Sequence, residues 1–505
     1  MKILIFHGYL LRGTGSNVYN ASLAAALVRL GHEVHLLCQD RNAEQLDFVD
    51  GRRCRVYRPD IHGLLPVYVA DRYEGFEAVP FPELSDEQLA GYLDANVAAV
   101  RDVAASAQPD VALANHLVMG PAILARGLEG RVPSAVKVHG SALEYTVRPH
   151  RERFLPYALE GLRAASGVLV GSRHTAESLW EVTREPGLPD RTRLGPPGVD
   201  VESFRPRPAD EAAAGLDRLA ARLEDAPADW GGEAGASEAL RGLDPRRDRL
   251  VAYVGKLIVS KGVDLLIAAW PLVLAEVPEA RLVVVGFGEY RDALRRLAGA
   301  LGRGDLGEAR DIAARGRELE GGPAGELRYL VAFIDGLEGE RRERYLGAAV
   351  GLEGRVHFTG RLEHADLPGL LPACEALVMP STFPEAFGMV AAEAAACGAL
   401  PISAGHSGMA EVTATLAPAL DERLRPLLSF GLGPNAVEEI ASRLVAWLRL
   451  EPAERERARA SLAREARARY GWERVAQGVV NAALGRLEEL PEVPPPAPPF
   501  GPASG

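Results

Sequence analysis

Three patches of this sequence concentrate charged side chains beside glycines and prolines. The densest is Ser381-Thr-Phe-Pro-Glu385-Ala-Phe-Gly-Met-Val-Ala-Ala-Glu393, in which seven residues separate two carboxylates. Pro384 and Gly388 punctuate a loop and the apolar run after them starts a helix, so Glu385 precedes the helix and Glu393 lies on its opening turns. Gly388, Met389 and Val390 then present uncapped N–H groups at the positive helix end. Vicinal hydroxyls are donors that bind a charged acceptor most strongly. A carboxylate before the helix therefore suits sugar hydroxyls, and one within it suits a ribose diol. Two helix-start glutamates stabilised only by the helix dipole would fit the same positions.

The second patch is Val254-Gly-Lys256-Leu257 followed by Ser260-Lys261-Gly262, with its two lysines five residues apart after an apolar run. At the carboxyl end of a strand such a pair matches the charge of a diphosphate; elsewhere it would be two solvated lysines on a loop. The third is Arg12-Gly-Thr-Gly-Ser16, before a helix expected over residues 17–30. Glycines let backbone approach a ligand, Ser16 or Asn17 can cap the helix, and its positive end attracts an anion. A plain tight turn remains the alternative. A smaller basic cluster holds Arg148 and Arg151; it is either an acidic-acceptor site or a solvated helix start.

These patches must be positioned by something, and the apolar runs supply it. Strands are expected at residues 2–6, 33–38, 111–115, 135–139 and 167–170, and again at 250–255, 281–286, 356–359, 376–379 and 400–403. Continuous apolar runs alternating with longer amphipathic stretches are the pattern of parallel sheets with crossover helices. Two series give an α/β chain of two Rossmann-like doubly wound domains. They cover residues 1–198 and 199–470, with the junction at Gly195-Pro-Pro-Gly-Val-Asp200 and a last helix at 471–488. Residues 209–247 read as a surface insertion and 303–353 as a charge-dense helical one. The stretch 62–77 is aromatic and loop-like, suited to an acceptor pocket or to core packing. The Pro-rich tail 489–505 is expected to be disordered.

Composition narrows the partners. The chain has 505 residues and a net charge of −12, which disfavours nucleic acid and anionic lipid surfaces. Cys38, Cys54, Cys374 and Cys397 share no metal-ligand spacing, so neither a metal nor a disulfide is expected. The short apolar start MKILIFHGY points to a cytoplasmic protein with no leader or membrane span.

The FPEAFGMVAAEAAACG stretch resembles the signature of retaining GT-B glycosyltransferases of family 4. Supporting pieces stand in order: the glycines at 13–16, KVHG at 137–140, VGS at 170–172, PPGVD at 196–200, GKLxxxKG at 255–262 and FTG at 358–360. The resemblance covers about residues 1–205, 249–302 and 354–488, and it departs at Lys256, where the family usually has Arg. Lysine keeps the charge and loses the bidentate fork. The resemblance implies that Lys261 with Lys256 neutralises the donor diphosphate, joined by Gly15 and by the backbone of Met389 and Val390. His139, Glu385, Phe387 and Gly388 would hold the donor sugar, Glu393 the ribose, and Gly360 with Arg361 the base. His139, Lys261 and Glu385 are the implied catalytic set, and the last helix, 471–488, would cross back onto the first domain; the lesser alternative for His139 is a neutral core histidine at a strand end. Neither metal nor cofactor is implied. The donor would be a UDP-linked hexose first and GDP-mannose second, the acceptor a sugar, polyol or glycan, and Glu385 no covalent nucleophile. A non-catalytic sugar-nucleotide or glycan-binding protein on the same fold is the competing reading; an epimerase or phosphorylase would have less use for the paired lysines.

Overall fold

Alternate residues of the first strand go to different cores. Ile3 and Ile5 pack with Leu23, Leu27 and Val479, whereas Leu4 and Phe6 pack with Val97, Val100 and Ile123. A strand buried on both faces has no polar side, which is why its sequence is an unbroken apolar run. A computed structural model describes residues 1–12, 15–68, 75–225 and 235–495. The chain divides into two units, Met1–Gly198 with the C-terminal stretch from Tyr470, and Val199–Arg469.

The first unit contains β1 (Lys2–Phe6), β2 (Glu33–Leu37), β3 (Cys54–Tyr57), β4 (Leu64–Val67), β5 (Glu77–Pro80), β6 (Val111–Asn115), β7 (Ser134–Val138), β8 (Gly167–Val170) and β9 (Thr192–Leu194). Seven form one parallel sheet in the order β3-β2-β1-β6-β7-β8-β9, and β4 pairs with β5 in a separate ribbon. Leu4 stands opposite His35 on one side and Ala112 on the other. The helix Trp472–Ala483 joins this unit, and its Trp472, Ala476 and Val480 complete the core behind β1.

The second unit holds β10 (Arg249–Val254), β11 (Ala280–Val285), β12 (Val356–Gly360), β13 (Cys374–Met379), β14 (Leu400–Ala404) and β15 (Ser429–Phe430) in the parallel order β12-β11-β10-β13-β14-β15. Trp270 and Trp447 are fully buried, and Trp447 Nε1 donates to the carbonyl of Glu375 on β13 at 2.8 Å. All four cysteines are buried thiols, and no helix among the described residues is long and apolar enough to cross a membrane.

All ten expected runs are strands, with ends that coincide or shift by at most two residues. The strands not anticipated, β3, β4, β5, β9 and β15, are two to four residues long.

Three expectations need correction. The first helix begins at Gly15 rather than residue 17. Asn17 therefore lies inside it and bonds back to the Arg12 carbonyl instead of capping. The stretch 62–77, expected to be loop-like, contains β4 and the first residue of β5. Within the expected surface insertion, the helix Ala209–Asp225 buries Ala212, Leu216, Leu219 and Ala220, small and leucine side chains at helical spacing that make a docking stripe. In the tail, Leu490 is buried, Leu194 N–H donates to the Pro491 carbonyl at 2.9 Å, and Glu492 bridges to Arg193. The edge of β9 offers unpaired backbone groups that the tail satisfies; residues 496–505 lie outside the described residues.

Trp447→Ala should remove about 3–5 kcal/mol of stability. Calorimetry would show the unfolding transition of the Val199–Arg469 unit moving down while that of the other unit stays in place.

Candidate active site

In an open parallel sheet the crevice lies where the strand order reverses, because connections on either side run to opposite faces. In the second unit that point falls between β10 and β13, which are neighbours. The loop leaving β10 carries Lys256 and Lys261, and the loop leaving β13 carries Glu385. They are stitched together: Thr382 N–H and Ser381 Oγ both donate to the Ser260 carbonyl, at 2.9 and 3.0 Å. Lys261 Nζ meets Glu385 Oε1 at 2.7 Å, both side chains about a quarter exposed or less. Gly262 ends the Val259–Lys261 turn at φ +65°, and a Cβ there would stand 2.1 Å from the Pro380 carbonyl oxygen, so only glycine lets the two loops close on each other. Lys256 is exposed; its carbonyl accepts from Tyr253 Oη at 2.8 Å.

The loop after β14 fixes Glu385 from behind. Glu385 N–H donates to Ser407 Oγ at 3.0 Å, and its carbonyl accepts from Gly408 N–H at 2.9 Å. His406 Nε2 donates to the Ser381 carbonyl at 2.9 Å. The helix Met389–Ala396 then starts behind Gly388, which has no side chain to cap it. Phe387, Gly388, Met389 and Val390 thus surround an open helix N-terminus beside the Lys261–Glu385 pair, an arrangement suited to an anion.

Glu393 is 1% exposed. Its Oε1 accepts from His364 Nε2 at 2.8 Å, and its Oε2 is buried without a partner. An orphaned buried carboxylate oxygen is costly, and a diol would satisfy it. Burial opposes charge on His364, but the hydrogen bond to Glu393 and the charges of Glu393, Asp200 and Glu363 outweigh it and raise the ring above its ordinary value. Gly360 accepts from Gly286 N–H at 2.9 Å, and Arg361 pairs with Glu363 at 2.6 Å and lies 5.9 Å over the Phe287 ring.

In the first unit the reversal falls between β1 and β6. Gly15 opens the helix after β1, while Gly13 and Thr14 lie outside the described residues. A buried polar chain runs from there along the strand ends. His7 Nε2 donates to Asn17 Oδ1 at 3.0 Å, Asn20 Nδ2 donates to His7 Nδ1 at 3.0 Å, and Asn115 Nδ2 donates to Asn20 Oδ1 at 2.7 Å. His139 Nε2 donates to Asn115 Oδ1 at 2.8 Å. Burial first, then the neighbouring His116, Lys137 and His7, push His139 well below its ordinary value. It is therefore neutral at physiological pH, with Nδ1 as its acceptor face. Burial alone lowers Lys137 to about 7, and its ammonium donates to the Gly195 carbonyl.

Arg148 is engaged by Glu144, Ser178 and Glu181, and Arg151 is exposed at the start of its helix. Sequence reasoning missed His364, Ser407 and His116. Of these only Gly405-His-Ser-Gly408 carried a signal, glycines directly after a strand. His116 follows β6 and has both ring nitrogens buried without a partner, 4.6 Å from the Tyr68 ring and 4.9 Å from His139.

Two doubly wound parallel units with these sites at their reversal points make the GT-B architecture of nucleotide-sugar glycosyltransferases. Residues 13–203 match the model described as Glycosyltransferase Family 4, and residues 241–305 and 326–461 match Glycosyl transferases group 1. The chain belongs to the family 4 glycosyltransferases. It is similar to D-inositol 3-phosphate glycosyltransferase of Frankia alni, 25% identical over 477 residues covering 93% of each chain. Its fold is shared by sucrose-phosphate synthase of Thermosynechococcus elongatus, with a TM-score of 0.56 at 20% identity, covering 97% of this chain and 98% of that one. Anabaena HepE in complex with UDP and glucose shares it too, with a TM-score of 0.55 at 17% identity, covering 95% and 98%. The chain is an enzyme that uses nucleotide-sugar donors, and the reading as a non-catalytic binding protein is set aside.

His364→Gln tests the Glu393 contact. Because the folded value is raised, the stabilisation is complete below the ordinary value of 6.5 and is lost as pH climbs through the folded value. Melting temperatures from about pH 5.5 to about 9 should show the largest gap between wild type and variant at the acid end, shrinking as pH rises.

Proposed function

We propose that this chain transfers a hexosyl group with retention from a UDP-linked sugar, or second from GDP-mannose, to a hydroxyl acceptor without a metal ion. One observation carries the reading: Lys261 and Glu385 are in contact at the strand-order reversal, beside an uncapped helix end. Lys261, Lys256 and the first-turn N–H groups supply positive charge for the diphosphate as it departs, which is the main electrostatic task of the reaction. Glu385, its backbone fixed by Ser407 and Gly408, receives donor-sugar hydroxyls. The free oxygen of Glu393 receives the ribose, and Gly360 with Arg361 borders the base. Among the described residues no three metal-ligating side chains converge. Neutral His139 keeps Nδ1 as an acceptor for a sugar hydroxyl. A carboxylate already paired with a lysine is a poor nucleophile. Retention is assigned, as the family resemblance implies, to reaction on one face, with the leaving phosphate taking the acceptor's proton. UDP-bound HepE supports the uridine choice, and the Frankia relative makes a phosphorylated polyol the first acceptor to try.

The test is release of nucleoside diphosphate from a panel of nucleotide sugars. Lys261→Ala should lower turnover by about 100-fold or more, and Lys256→Ala by less. A Lys261 variant with wild-type turnover would remove the diphosphate assignment. Activity should persist in excess EDTA; loss restored by manganese or magnesium would overturn the metal-free mechanism.

A further inference from the structure

The turn Val259–Lys261, which aims Lys261, has no cap of its own: its N-cap residue is Ile258, whose side chain accepts nothing. The cap comes from elsewhere. Val259 N–H donates to Glu320 Oε2 at 2.7 Å, and the Glu320 side chain is only 12% exposed. Glu320 closes the turn Arg317–Glu320, and Arg317 Nε lies 3.4 Å from its other oxygen.

The presenting loop is itself closed. Gly316 bridges to Gly325, and Gly322 N–H donates to the Arg317 carbonyl at 2.9 Å. Gly316 sits at φ +48°, and a Cβ there would stand 1.8 Å from the Gly325 carbonyl oxygen. The closure thus depends on glycine. This loop belongs to residues 306–325, which fall between the two segments matched by the family model.

Packing alone does not hold the turn. A cavity of about 230 Å³ lies beside it, lined by Val259, Asp264, Leu265, Arg317, Leu327 and Thr382. Ser260 is tied on one side to Ser381 and Thr382, and next to it Val259 N–H is tied to Glu320. An acid near a phosphate site would repel the ligand unless its charge were spent, and here the Val259 N–H and Arg317 spend it.

We propose that Glu320 is a positioning residue for Lys261, a clamp that residues 306–325 add to the donor site. The proposal rests on the reading that Lys261 meets the donor diphosphate. Glu320→Ala and Glu320→Gln are compared with Lys261→Ala. The readouts are turnover, calorimetric affinity for whichever of UDP and GDP binds the wild type more tightly, affinity for the matching nucleoside, and hydrogen exchange at residues 258–262. Misplacing a catalytic group by about an ångström can cost up to about 100-fold. Glu320→Ala should therefore lower turnover and diphosphate affinity about tenfold, leave nucleoside affinity unchanged, and speed exchange at 258–262 while the rest of the unit stays protected. Glutamine keeps a carbonyl acceptor on the same stem and should return to within about threefold of wild type. Wild-type turnover and unchanged exchange in Glu320→Ala would overturn the clamp, as would a glutamine variant as impaired as the alanine one. If Lys261→Ala is impaired while Glu320→Ala is normal, the clamp alone fails. If Lys261→Ala is normal, the underlying reading fails, and exchange at 258–262 still reports on the Glu320 bond.

Discussion

The ion pair between Lys261 and Glu385 is the joint on which the second unit's site depends. Two loops leave adjacent strands and would otherwise diverge. Each brings one charge, and a contact of 2.7 Å keeps both at the crevice. Everything nearby serves that closure: the glycine that lets backbone approach backbone, the hydrogen bonds to Ser260, and the Ser407–Gly408 seat beneath Glu385. A lysine held by a carboxylate is pre-placed, so less ordering entropy is lost when an anionic ligand arrives.

The first unit solves a different problem. Its strand ends bury histidines, asparagines and a lysine, and each such group must be satisfied or neutral. The chain from His7 through Asn20 and Asn115 to His139 fixes ring orientation by hydrogen bonds and keeps the imidazoles uncharged by burial. His116 keeps both ring nitrogens buried without a hydrogen-bond partner.

Much of this was legible in the sequence wherever a residue type is costly unless it has a task. The unbroken apolar runs read directly as buried parallel strands. Lys261 and Glu385 stood out because lysine and glutamate followed strands beside glycine. His364 did not, since its significance lies in a partner 29 residues away, and nothing local distinguishes it from a solvated histidine. Glu320 was hidden for the same reason, one acid among many in a charge-dense stretch. The helix at 209–225 gave little sign of its buried stripe, because alanines dilute average hydropathy while still packing closely.

The placement of helix Trp472–Ala483 has a consequence for how the molecule is made. The first 198 residues leave the ribosome with the back of their sheet still waiting for Trp472, Ala476 and Val480, which are synthesised after the whole second unit. The first unit is thus the earlier to begin and the later to finish, and its unfinished apolar face stays open to water and to chaperones for most of translation. The second unit, continuous in sequence, suffers no such delay.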